Sequence, residues 1–301
     1  CALPICSIGN FIEWYEFAVY GFLATVIAKN FFTLTGESAI TSLILTYAAF
    51  AVAFFFRPLG AVVFGRMGDR IGRKPTLIIV LVLMTLATAA IGVVPVYASI
   101  GIAAPLILTG LRILQGLFAG GEYGGAVSLM TEFAPRGKRG LYGAWQSFTV
   151  ALGLLAGAGI VALISVVLSP EELYAWGWRL PFLFSIVLIA VGMAIRLGVA
   201  ESPVFKEIAS SKEQVRLPLL DMFRFNGKQL VQGALIFMGN GVAGYMITGG
   251  YILAYASASP EAGGLGLERA SLLGLSSLCG VTWAATTLGS AILSDRITRT
   301  R

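Results

Sequence analysis

The chain has 301 residues, of which 57% are hydrophobic and only 12% charged, and its mean hydropathy is +0.85. A water-soluble domain carries about 25% charged residues, so this composition excludes one and points to a chain dissolved in a lipid bilayer. A formal charge of +6 and a pI near 9.3 raise nucleic acid as a partner, a reading that the positions of the charges remove.

Eight apolar stretches are long enough for membrane spans of about 20 residues: 5–30, 40–65, 76–96, 103–130, 142–168, 178–198, 230–257 and 270–294. Strands of a membrane barrel would be about half as long and would alternate with period two, so the fold class is all-α and polytopic. The first stretch is too long for a signal peptide, carries carboxylates and lacks a cleavage-type end. The chain opens on Cys1 and stops at Arg301, just past its eighth stretch, as expected of a piece of a longer protein.

The first stretch contains G-N-F-I-E-W-Y-E-F-A-V-Y-G at 9–21. On a helix, with 3.6 residues per turn, Gly9, Glu13, Glu16 and Tyr20 share a stripe with Asn10 at its flank. Phe11, Tyr15 and Ala18 face the other way. A charge at mid-membrane costs a few kcal/mol on insertion scales and roughly 10 or more in simulations, so such groups face a cavity or a partner. Two readings stand: both glutamates are hydrated near the cytoplasmic end, or one of them carries a proton. Glu13 and Glu16 are the leading proton sites, and spacing alone does not choose between them.

In the second stretch, F-F-F-R-P-L-G puts Arg57 before Pro58 in the cytoplasmic half. Arg57 either lines a lower cavity or extends its head to the interface. G-R-M-G-D-R-I-G-R-K-P follows at 65–75; its glycines permit a tight turn, and Pro75 suits the first turn of the next helix. Asp69 is suited to capping the N-terminus of a neighbouring helix. E-F-A-P-R-G-K-R-G at 132–140 supplies Glu132 at the same membrane face. Asp69, Arg70, Arg73 and Glu132 therefore form a candidate cytoplasmic latch.

The fourth stretch reads G-L-R-I-L-Q-G-L-F-A-G-G-E-Y-G-G at 110–125. Its glycines allow close helix approach. Arg112 and Glu122 are ten residues apart, about 15 Å along a helix, too far to pair directly. Arg112 needs a partner on another helix or a bound anion, and Gln115 lies one turn on along the same face. Glu122 and Tyr123 sit nearer the cytoplasm, with packing and substrate contact both open.

Placing the start of the first span in the cytoplasm puts 16 of the 21 Lys and Arg at cytoplasmic ends and loops, three outside and two (Arg57 and Arg112) within spans. That asymmetry is the positive-inside rule; the basic balance reflects topology, and no nucleic-acid partner is expected. Residues 199–229 form the one long polar segment, which divides the chain into a six-helix bundle at 1–198, a cytoplasmic linker, and the first two helices of a second bundle at 230–301. Gly9-Asn10 and Tyr15 recur as Gly239-Asn240 and Tyr245, and G-D-R-I-G-R at 68–73 recurs as S-D-R-I-T-R at 294–299, bringing Asp295 and Arg296 into the latch. Parallel six-helix repeats of this kind build the major-facilitator architecture, in which four more helices would follow. Glu13 and Glu16 correspond to Ala243 and Met246, so the scaffold tolerates apolar residues there and the first-copy carboxylates serve another purpose.

With no histidine, and with Cys1, Cys6 and Cys279 lacking ligand spacing, no metal or other cofactor is expected. No nucleophile–base pair stands out, so an enzyme is not the expectation, and proton work falls to carboxylates.

The loop motif G-x-x-G-D-R-x-G-R-K and R-x-x-Q-G in the fourth span resemble the two signatures of the major facilitator superfamily. G-N-x-x-E-W-Y-E-F-x-x-Y-G, F-x-R-P-L-G, L-Q-G-x-x-x-G-G-E-Y-G-G, W-G-W-R-L-P-F at 176–182 and E-S-P-V-F at 201–205 resemble the narrower metabolite:proton symporter family, which includes transporters of 2-oxoglutarate, citrate, shikimate, and proline or betaine. Glu16 stands where that family commonly has Asp, and Thr298 replaces the glycine of the first-copy loop. The fifth span, G-L-L-A-G-A-G-I-V, lacks the Gly-Pro pattern of antiporters, which favours symport.

The resemblance implies alternating access, with a proton driving uptake of a small polar carboxylate or zwitterion across a bacterial-type inner membrane; a proton-driven exporter is the alternative. By it Glu13 or Glu16 accepts the proton and Arg112 couples charge to substrate. Asn10, Tyr20, Arg57, Gln115, Asn240 and Tyr245 contact substrate, and the latch closes the inner side. The implied partners are protons, the metabolite and the bilayer, with no oligomer required.

Overall fold

A computed structural model describes residues 3–33, 39–135, 137–198, 224–236, 238–239, 256, 265–267 and 269–297. Among them there is no strand. The chain divides into two units, residues 1–206 with 286–301, and residues 207–285.

The first unit comprises α1 (Leu3–Phe22), α2 (Ala24–Phe31), α3 (Ala39–Ile71), α4 (Arg73–Val93), the short α5 (Tyr97–Ile100), α6 (Ala103–Glu132), α7 (Arg139–Val167), the single turn α8 (Pro170–Glu172) and α9 (Arg179–Leu197). A π-helical turn at Leu173–Gly177 precedes α9. The second unit contains α10 (224–236) and most of α11 (Arg269–Arg296), whose last residues belong to the first unit.

Five of these helices are long and apolar enough to cross a membrane, and α1 with α2 make a sixth if they are taken as one bent span. The predicted stretch 230–257 lies mostly outside the described residues, and 270–294 is the helix α11. The first span differs from expectation: its two parts meet at 65°. The bend sits at Leu23, next to Gly21-Phe22, with φ −93° and ψ 9°. Bonds from Leu23 N to Val19 O at 3.0 Å and from Ile27 N to Leu23 O at 2.9 Å continue through it. The turn therefore leaves few backbone groups unpaired, as an apolar surrounding requires. It brings Phe31 edge-on to the fully buried Trp178, with centroids 5.4 Å apart.

The second difference concerns the loop at 65–75. Gly65, Gly68 and Asp69 lie within α3, and only Gly72 forms the turn, with φ +106°. That conformation is open to glycine and strained for other residues. The remaining glycines cost the helix about 1 kcal/mol each, too little to end it, and Pro75 enters only in the first turn of α4, where a missing N–H is harmless. Pro58 likewise sits inside an unbroken α3.

The packing follows glycine. α3 packs most extensively on α6, and α1 on α7. A Cβ on Gly116 would strike the Ala53 carbonyl, one on Gly120 the Arg57 carbonyl, and one on Gly60 the Leu117 carbonyl. On the other side of the bundle, Gly153 lies against the backbone of Phe11 and Tyr15, and Gly157 against Ala18. In lipid, where apolar side chains gain nothing by leaving their surroundings, this backbone proximity is what holds helices together. One apolar cluster joins α1, α2 and α9 through Tyr15, Leu23, Ile27, Phe31, Trp178 and Phe182. Another, around Ile12, Phe17, Ala53, Leu81, Met84 and Ala119, lies between α1, α3, α4 and α6.

Substituting Gly116→Val should cost about 1–3 kcal/mol through overpacking and lower the melting temperature in detergent. Gly110→Val, where a Cβ meets open space, is expected to leave it unchanged; equal effects would remove the close-approach account.

Candidate functional site

The polar stripe of α1 points into the bundle. Glu13, Glu16 and Asn10 are all buried, as are Arg112, Gln115 and Glu122 of α6. Glu13 Oε1 lies 2.7 Å from Arg57 Nη2 on α3. The Arg57 guanidinium stands 4.7 Å from the Phe17 ring centre and 4.6 Å from that of Phe54. The Arg112 guanidinium sits 4.8 Å from the same Phe17 ring, 4.3 Å from Tyr20 and 4.9 Å from Phe50. Two cations thus share one aromatic ring, a favourable contact for each that strengthens when water is excluded.

From Arg112 a directional hydrogen-bonded chain leads to Glu16. Arg112 Nη1 donates to Gln115 Oε1 at 2.7 Å, Gln115 Nε2 donates to Thr88 Oγ1 at 2.5 Å, and Thr88 Oγ1 donates to Glu16 Oε2 at 2.5 Å. Each donor points the same way, from the cation to the carboxylate, so each bond polarises the next. Among the described residues Arg112 Nε and Nη2, Glu16 Oε1 and Glu13 Oε2 have no hydrogen-bond partner. Buried polar atoms left this way are costly, and here they belong to both glutamates of α1 and to Arg112 of α6.

Other expected site residues are placed differently. Asn10 donates to Gln146 O at 3.0 Å and Thr149 Oγ1 at 2.8 Å, and accepts from Gln146 Nε2 at 2.6 Å. Its amide joins α1 to α7. The Tyr20 hydroxyl donates to Thr46 O at 3.2 Å, so Tyr20 offers the site its ring. Arg57 neither snorkels nor stands alone; it neutralises Glu13. Asn240 and Tyr245 lie outside the described residues, as do Glu132's side chain and much of the linker.

At the expected latch, no cap by Asp69 is seen among the described residues. Asp69 pairs at 3.0 Å with Arg73, one turn on across Gly72, and Arg70 is exposed. The cap is made by the repeat's counterpart: Asp295 accepts from Gly140 N at 2.6 Å and Leu141 N at 2.8 Å, at the start of α7. A carboxylate there meets two of the N–H groups left free at the helix start, and its positive end. Arg296 follows as an exposed residue.

Three participants escaped the sequence reading. Thr88 is an uncharged residue in an apolar run, with nothing to mark it as a bridge. Phe17 reads as ordinary core. Arg196, at the end of a span, reads from the sequence as one more cytoplasmic cation, yet it is buried and donates to Glu122 Oε1 and to Leu77 O.

These features define a class: a helical, multi-pass membrane protein with the major-facilitator transporter fold. The structure superimposes on the proton:xylose symporter bound to a bromodeoxyglucose with a TM-score of 0.75, at 18% identity, over 99% of this chain and 69% of that one. The family follows from sequence: the sugar (and other) transporter model matches residues 1–221, and the chain belongs to that family. It is 37% identical over 292 residues to an inner membrane metabolite transport protein of Escherichia coli K12, covering 97% of this chain and 66% of the relative. It is 40% identical over 213 residues to the proline/betaine transporter of Salmonella typhimurium, covering 71% and 42% respectively. A shikimate transporter of Escherichia coli K12 is 35% identical over 97% of this chain and 66% of its own length. The chain therefore spans about two thirds or less of these relatives.

Arg57→Met would leave Glu13 buried and unpaired, which is expected to cost about 3–5 kcal/mol. The double variant E13Q/R57M, with no charge left over, should recover most of that in detergent melting. Asp295→Ala should cost about 1 kcal/mol through loss of the cap. It would appear as several-fold faster amide exchange at Gly140 and Leu141, with Ala156 at mid-helix unchanged.

Proposed function

We propose that the full protein is a proton-coupled secondary transporter that imports a small polar carboxylate or zwitterion by alternating access. The cytoplasm lies at the start of α1, as the distribution of basic residues indicates. The observation that carries this reading is the polarised chain from Arg112 to Glu16, buried in a protein without histidine.

Glu13 has a cation of its own in Arg57, whereas Glu16 is reached by Arg112 only through Gln115 and Thr88. Glu16 is accordingly the proton acceptor. The Thr88 hydroxyl has one hydrogen and two acceptors in reach, Glu16 Oε2 at 2.5 Å and Met84 O at 3.1 Å. While Glu16 is ionised, the hydroxyl serves it and the chain draws the Arg112 charge toward α1. When Glu16 takes a proton, Thr88 turns to Met84, Gln115 is released, and Arg112 presents its charge to the substrate. An anionic group on the substrate meets the unpartnered Nε and Nη2 of Arg112. Proton and substrate thus each improve the site for the other, which is what coupled binding requires.

Support for the substrate class comes from the relatives named for proline/betaine and shikimate, compounds that each carry a carboxylate. The Glu13–Arg57 pair leaves the remaining set of Glu16 and Arg112 neutral overall, which suits a zwitterion. Asp69, Arg73 and Asp295, with Arg70, Arg296 and Glu132, form the inner latch in this scheme, and Asn240 and Tyr245 supply the second bundle's share of the site.

The test uses the full-length protein in sealed proteoliposomes with an inward proton gradient and labelled 2-oxoglutarate, citrate, shikimate, proline and betaine. One solute should accumulate, and a protonophore should abolish the accumulation. Glu16→Gln should remove accumulation while sparing solute exchange across a membrane without a gradient; normal accumulation by this variant would transfer the role to Glu13 or end it. Efflux from preloaded vesicles in place of uptake would make the protein an exporter.

A further inference from the structure

Glu122 has no part in the chain just described, yet it is fully buried and its Oε2 has no hydrogen-bond partner among the described residues. Its position relative to α1 is informative. A Cβ built on Gly9 would fall on the Glu122 carboxylate and on Arg196 Nη2. Glu122 therefore occupies the space that a side chain at position 9 would fill. Along the stripe of α1 the order becomes Tyr20, Glu16, Glu13 and then, in place of residue 9, Glu122.

Spacing makes this a series. Residues four apart on a helix have Cβ atoms about 5–6 Å apart on one face, so the Glu122 carboxylate, standing where a Cβ of residue 9 would be, lies about one helical turn from the Cβ of Glu13. Each of the two has one oxygen, Oε2, without a partner. Among the described residues the charged groups that face Glu122 are Arg196 from α9, which pairs with it, and Glu13 from α1, which is itself paired with Arg57 of α3. From α4 comes the Leu77 carbonyl, which holds Arg196 independently of Glu122. On its own helix the neighbouring ionisable group is Tyr123. Arg196 lies in the last turn of α9, where Lys74 also anchors the chain by donating to Leu197 O at 3.0 Å.

We propose that Glu122 is a further station of the proton path, between Glu13 and the cytoplasmic end of the bundle, with Arg196 as its resident counter-charge; the proposal rests on the proton-coupled reading above. A proton leaving the Glu13 carboxyl breaks its O–H bond there, and through one water a new O–H bond forms on Glu122 Oε2. Glu122 then no longer neutralises Arg196, whose charge stays held by the Leu77 carbonyl. Loss of the proton to cytoplasmic water re-forms the ion pair and resets the station. The pair thus keeps the station unloaded between passages, while the proton gradient sets the direction of net flow.

The experiment uses the full-length protein in proteoliposomes holding a pH-sensitive dye, with the panel solute that accumulates as the driver. Glu122→Gln should slow proton arrival and solute accumulation about tenfold or more and abolish their dependence on internal pH, with solute exchange at equal pH kept within about twofold. Glu122→Asp, which retains an ionisable group, should restore the internal-pH dependence. Wild-type behaviour of E122Q overturns the proposal. So does loss of exchange and accumulation together in both variants, which is the mark of a structural ion pair. Infrared titration of the purified protein separates this from failure of the parent reading. A carboxyl band that appears on acidification, is absent in E122Q and is shifted in E122D places a proton on Glu122 whatever the fate of Glu13 and Glu16. Should E122Q not fold, E122D against wild type carries the same band comparison, and an unshifted band rejects the station.

Discussion

A charge placed where water is excluded has to find its opposite within the protein, and this bundle is organised around that requirement. Two acids of α1 meet two arginines from α3 and α6, and a third acid meets an arginine from α9. The three arrangements differ in kind. Glu13 and Arg57 touch, Glu122 and Arg196 touch, and Glu16 reaches Arg112 only through two neutral side chains. A direct pair favours its ionised acid and so holds a proton only in passing, whereas a bridged pair can exchange one state for the other by turning a single hydroxyl. The function proposed for Glu16 follows from this difference more than from its burial, which all three acids share.

Bringing these side chains together requires backbones in near contact. The glycines of α6 let Ala53 and Arg57 approach, and those of α7 admit α1. Because α3 runs so close to α6, Arg57 and Arg112 flank the same Phe17 ring. The aromatic ring is thus a consequence of the glycine pattern as much as a participant in the site.

Much of this could be read from the sequence. The spans, the polar stripe on α1 and the intramembrane arginines all declare themselves because a charged residue in a long apolar run has few explanations. A capping carboxylate is legible as a device, and the sequence offers Asp69 for it, whereas among the described residues Asp295 makes the cap; the two motifs are nearly identical and only the packing distinguishes them. The resemblance makes Asn10 a substrate contact, and the structure shows its amide also joining α1 to α7. Thr88 and Arg196 were invisible for opposite reasons. A threonine carries no hydropathy signal in an apolar run, and an arginine at the end of a span looks like every other topological cation. The bend at Leu23 could not be read either, since no proline marks it.

The meeting of Gly9 with Glu122 has a consequence for how this chain can vary. The two positions, 113 residues apart, share the volume of one side chain. A relative that gains even a methyl group at position 9 must shorten or re-aim position 122, and with it release the arginine of α9. Substitutions at the three sites should therefore appear as joint changes across lineages, a covarying triplet whose members each look neutral only when the other two have already moved.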